Sequence, residues 1–98
     1  MYRQGDVLIV RADSIPKDAK VVARNHLVLA LGEATGHSHT ITLEGAELLT
    51  TTLERWMTLP SETEIVHQEH APIQIPAGDY QVIQQVEYTP TEIRNVHD

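Results

Sequence analysis

Apolar residues along this chain fall in short runs that alternate with polar positions, and no stretch keeps the three-to-four-residue spacing of an amphipathic helix. Val7-Leu8-Ile9-Val10 is an apolar, β-branched run of strand length. Pro16 then interrupts regular structure, with a helical turn over residues 16–19 as the one local helical option. Val21-Val22-Ala23 predicts a weak strand, and His26-Leu27-Val28-Leu29-Ala30-Leu31 a stronger one, ended by Gly32. Thr40-Ile41-Thr42-Leu43 and Ala46-Glu47-Leu48-Leu49-Thr50 flank Glu44-Gly45, which has the composition of a tight hairpin. Residues 51–59 predict another strand, ending at Pro60. Glu64-Ile65-Val66-His67 and Ile73-Gln74-Ile75 predict short ones on either side of a loop at residues 68–72. Pro76-Ala77-Gly78-Asp79 is a turn signature. Residues 80–88 form the longest alternating segment, with an irregularity expected at Gln84-Gln85 and the character of an exposed edge strand. The expectation is an all-β single domain over residues 1–98, a small β-barrel or sandwich of seven or eight short strands.

Composition narrows the function classes. With no cysteine, disulfides, thiolate metal sites and cysteine nucleophiles are excluded. The start of the chain lacks a basic segment followed by a long apolar core, and no apolar run approaches a membrane span, so a soluble, cytoplasmic protein is expected. The net charge is −7, with all but one of the seven basic residues before Met57. That balance argues against binding a nucleic-acid backbone, although Arg3, Arg11, Lys17, Lys20 and Arg24 could form a local basic face. Serine-hydrolase and nucleotide-binding motifs are absent.

The densest chemistry lies in Gly32-Glu33-Ala34-Thr35-Gly36-His37-Ser38-His39. Alternation along a strand turns His37 and His39 to one face, an arrangement suited to paired metal ligands. About thirty residues later comes His67-Gln68-Glu69-His70. Positions three apart on a strand point oppositely, so His67 and His70 need a turn to act together. A three-nitrogen site of His37, His39 and His70, with His67, Glu69 or Glu44 as alternates, would hold a divalent ion such as zinc, iron, nickel or manganese. Such an ion could activate water for hydrolysis or serve the fold. His26 and His97 read as ordinary surface or core-edge residues.

Two resemblances follow from these residues. His37-x-His39 with Glu44, and Pro76-Ala77-Gly78, resemble the two metal motifs of cupins, small double-stranded β-barrels. That resemblance implies His37, His39 and Glu44 as ligands, although Gln81 stands where the second motif has a histidine. The broader resemblance is to a family of small bacterial and phage-associated proteins of unknown function. It rests on residues 2–8, 32–39, 67–73, 76–80 and 87–90, and it implies one compact domain of which both histidine boxes and the Gly5-Asp6 start are features. The competing function is a non-catalytic interaction or regulatory module, whose acidic C-terminal half meets a basic protein partner or whose edge strand pairs with a second copy.

Overall fold

The computed structural model describes residues 1–31 and 37–85. They form eight strands: β1 (Tyr2–Gln4), β2 (Val7–Arg11), β3 (Lys20–Leu31), β4 (Ser38–Thr50), β5 (Arg55–Leu59), β6 (Thr63–Ile65), β7 (Ile73–Ile75) and β8 (Gly78–Gln84). The all-β expectation holds. Six strands make one sheet in the order β1-β2-β8-β5-β4-β3, and β6 pairs with β7 in a second. Every pairing is antiparallel. With β1 and β3 as its edges the large sheet does not close into a barrel, so the sandwich is the form adopted.

Three of the expected boundaries are corrected. The two strand candidates around Asn25 are one strand, and Glu44-Gly45 is not a hairpin but lies inside the continuous β4. Residues 51–54, expected within a strand, form a turn in which Thr51 N–H donates to the Glu54 carbonyl (2.9 Å) and Glu54 N–H donates to Thr51 Oγ1 (3.2 Å). β8 is not an edge strand, because it lies between β2 and β5. Its register with β2 runs unbroken from Arg11–Tyr80 to Val7–Gln84, with no irregularity up to Gln84. The segment at residues 16–19 is a single turn closed by Ala19 N–H to the Pro16 carbonyl (3.0 Å). The glycine loop at residues 32–36, residues 86–90 and His97 lie outside the described residues.

The sandwich is produced by one bend. Arg24 faces Glu47, and the next paired position on β3, His26, faces Thr42, so two steps on β3 answer five on β4. The surplus is absorbed at Asn25 (φ 67°) and Gly45 (φ 87°), where Gly45 N–H donates to Asn25 Oδ1 (2.9 Å). A bulge of this size turns a strand pair sharply. Arg55 shows how far. It faces Thr50, which faces Lys20, and Leu29 lies nine positions beyond Lys20, about 30 Å along a straight strand. Yet the Arg55 guanidinium donates to the Leu29 carbonyl. The far half of the β3–β4 pair therefore folds back over the sheet. Leu27, Leu29, Ala30 and Ile41 from that half share one core with Val7, Ile9, Met57, Tyr80 and Val82. Ile65 and Ile75 complete the second layer. A bridge between Thr40 and Val66 ties β6 to β4, and β7 lies against β1.

Candidate functional site

The fold-back carries the start of β4 to the β1–β2 turn, and the β6–β7 connection arrives at the same place. This brings the two histidine boxes together. The ring centres of His39 and His67 are 4.3 Å apart, those of His67 and His70 4.6 Å, those of His37 and His67 5.5 Å, and those of His39 and His70 5.9 Å. Both members of the His37-x-His39 pair lie against His67, as one strand face requires. The turn that the His67–His70 spacing demands is present, and His67 itself holds it. Its Nδ1 accepts the backbone N–H of Glu69 (3.0 Å) and that of His70 (3.3 Å). Glu69 Oε1 is 3.1 Å from His37 Nδ1.

Two further residues complete the cluster, and neither was a candidate site residue in the sequence, although Asp6 belongs to the Gly5-Asp6 start of the broader resemblance. Gln4 and His39 are the two buried polar residues of the described chain, 3% and 4% exposed. The Gln4 amide nitrogen donates to the carbonyls of Ile65 (3.1 Å) and Ala71 (2.9 Å), and its Oε1 is 2.9 Å from His39 Nδ1. The second is Asp6. Its Oδ1 lies 3.5 Å from His39 Nε2, and its Oδ2 accepts from Gln84 Nε2 (3.1 Å). The Gln85 backbone N–H donates to the Asp6 carbonyl (2.7 Å), so the end of β8 holds this turn in place. Gly5 sits between them with φ +59°. A Cβ there would lie 2.8 Å from His70 Nε2 and 3.3 Å from His39 Cε1, so the edges of both rings converge on this residue. The Gly5-Asp6 pair was the only sequence signal for the turn. Gln4, one polar residue in a three-residue strand, carried none.

Burial holds the pKa of His39 below the ordinary histidine value. Neighbouring His67 and His70 push the same way, against the opposing pull of Asp6. Near neutral pH the ring is uncharged and keeps a lone pair.

Not every expected residue joins the cluster. Glu44 lies five positions along β4 from His39, roughly 16 Å by strand rise, and is exposed at the bulge, which removes it as a ligand. Pro76-Ala77-Gly78 lies at the other end of β8 from the Asp6–Gln84 contact. The side chain of His26 is exposed and paired with Thr42. Within the supposed basic face, Arg24 is bonded to Glu47, and Arg11 lies over the ring of Tyr80. A groove of about 580 Å³ beside Leu53, Arg55, Val82 and Gln84 does not include the rings, although Gln84 joins it to Asp6. Among the described residues, no three His, Asp or Glu side chains stand in ready-made metal-ligating geometry. Among the described residues there is no helix long and apolar enough to cross a membrane.

Neither the curated proteins nor the solved structures contain a match to this chain. A family model does match, over residues 3–85, which takes in both histidine boxes and the Gly5-Asp6 turn. The chain belongs to the family described as a domain of unknown function, DUF8820.

Proposed function

We propose that this domain binds one divalent first-row transition metal ion between His39, Asp6 and His70, with His37 as a fourth ligand oriented by Glu69. The observation that carries the reading is the contact between His39 Nε2 and Asp6 Oδ1. Both hydrogens of the Gln4 amide go to carbonyl groups, so its oxygen faces His39 Nδ1, and that nitrogen must donate. In the neutral ring Nε2 then carries a lone pair aimed at a carboxylate oxygen 3.5 Å away. Two acceptors held face to face call for a cation between them. Two ligand atoms each ~2.1 Å from a metal at the tetrahedral angle lie ~3.4 Å apart, which matches this separation.

The donor set of two or three imidazoles and one carboxylate, without sulfur, suits zinc, iron(II), manganese or nickel. His70 Nε2 and the edge of the His39 ring both lie against Gly5, the residue before Asp6. His39 is neutral near pH 7, so no proton has to be displaced from its Nε2. A metal ion so held supplies Lewis-acid activation of water, the chemistry of hydrolysis.

The test is elemental mass spectrometry on protein purified without a histidine tag, beside the His39→Gln and Asp6→Asn variants. The expected result is close to one equivalent of metal, lost in both variants. No metal in the unaltered protein, even after reconstitution with each of the four ions, refutes the proposal.

A further inference from the structure

Three of the four histidine rings are told apart by the partners of their Nδ1 atoms. We infer that Gln4 is a positioning residue that makes His39 an Nε2 ligand, and that His67 is the one ring of the cluster that does not ligate through that nitrogen but presents an N–H there. The ligand part of this inference rests on the metal reading above. The hydrogen positions do not.

Gln4 has no freedom of orientation. A flipped amide would set its oxygen against the Ile65 and Ala71 carbonyls, two repulsive contacts in a buried place. His39 therefore carries its proton on Nδ1. His37 follows the same rule, because its Nδ1 faces the Glu69 carboxylate, an acceptor. Imidazoles that ligate metals through Nε2 commonly donate Nδ1–H to such a partner, which fixes the ring and raises its basicity. His67 is wired in reverse. Its Nδ1 receives two backbone N–H groups, so the proton of the neutral ring is on Nε2. To ligate through Nε2 it would have to lose that proton. To ligate through Nδ1 it would have to open the turn that carries His70.

The same Gln4 also sets the position of that turn. Ile65 precedes the His67–His70 segment and Ala71 follows it, and one amide group holds both ends. Gln4 thus fixes the tautomer of one ligand and the location of another. His67 lies 4.3 Å from His39 and 4.6 Å from His70 by ring centres, among the ligands without being one of them. A ring so placed would offer its Nε2–H to a water or an oxyanion held among the ligands.

The experiment has two arms on the full chain. Long-range nitrogen–proton NMR at pH 8, on chelator-treated protein, reads each ring's protonated nitrogen, with assignments from single His→Gln variants. Nδ1–H in His39 and Nε2–H in His67 are expected, and the opposite pattern in either ring overturns the inference. Zinc titration of His67→Asn, whose Oδ1 can accept the same two backbone N–H groups as His67 Nδ1 and so keep the turn, is expected to stay within about threefold of the unaltered protein. His39→Gln and His70→Gln should each lose binding, and Gln4→Met should weaken it by about 10–100-fold, as for other groups that orient a ligand. If His67→Asn loses zinc as fully as His39→Gln while its circular dichroism is unchanged, His67 is a ligand and the inference fails. If the unaltered protein takes up no metal but the NMR pattern is as stated, the metal reading falls and the assignment of the hydrogens stands.

Discussion

Gln4→Met is the substitution that most directly tests how this end of the sandwich is held. Methionine is close to glutamine in length and volume, so packing is nearly conserved and the polar contacts alone are removed. Three are lost at once, to the Ile65 carbonyl, the Ala71 carbonyl and His39 Nδ1. Each leaves a buried or half-buried partner unsatisfied, at about 1–3 kcal/mol apiece. Carbonyl groups near the β6–β7 connection recover part of this by reaching water, so the net cost should be about 3–5 kcal/mol. That is a large share of the roughly 5–15 kcal/mol that stabilises a domain of this kind. For a chain of this length each kcal/mol moves the melting temperature by about 4–8 °C, so a fall of at least 12 °C is expected. Urea unfolding followed by Trp56 fluorescence gives the free energy directly, since this ring is buried, 5% exposed, on β5. A cost below about 1 kcal/mol would refute the reasoning, because it would mean that the three groups find equal partners without Gln4.

Two further outcomes follow from the same cluster. In metal-free protein, stability should be flat above about pH 6.5 and fall as the pH drops below it, because the unfolded chain takes up a proton at His39 that burial and the neighbouring His67 and His70 keep off the folded one. A urea midpoint that does not change between pH 8 and 5, or a fall of equal size in His39→Gln, would contradict this. Gly5→Ala should cost about 1–2 kcal/mol, since its φ of +59° is strained for alanine, and its Cβ would drive His70 away. Unchanged stability in this variant would show that the turn adopts another conformation.

How far the sequence could be read depended on whether the signal was local. The strands at residues 7–10 and 73–75 follow from alternation and chain spacing alone, whereas the meeting of the two histidine boxes depends on the fold-back of the β3–β4 pair. Glu44-Gly45 misled because glycine at positive φ serves a hairpin turn and a bulge equally well, and only the partner strand decides between them. The actual reversal at residues 51–54 has neither glycine nor proline, being closed by the Thr51 hydroxyl and backbone, so composition did not reveal it. The interior position of β8 depends on pairing with β2, more than seventy residues away in sequence, which no local pattern encodes. Gln4 and Asp6 were missed for the same reason. Their importance lies in which distant groups they meet.

The placement of β8 also sets the order in which the molecule can be built. This strand is the last of the eight, yet it occupies the middle of the sheet, with β2 on one side and β5 on the other. A growing chain that ends at Ile75 holds two parts of the large sheet that cannot yet pair with each other, the β1-β2 hairpin and the β5-β4-β3 group. Asp6 then lacks both Gln84 and the Gln85 N–H, and Gln4 alone ties its turn to the histidines. Contacts that close so long a loop are slow to form, because the chain loses its freedom before the contact rewards it. The Asp6 side of the histidine cluster is therefore completed only when the last strand pairs. A chain stopped short of β8 would expose β2 and β5 as two bare strand edges, ready to pair with other chains.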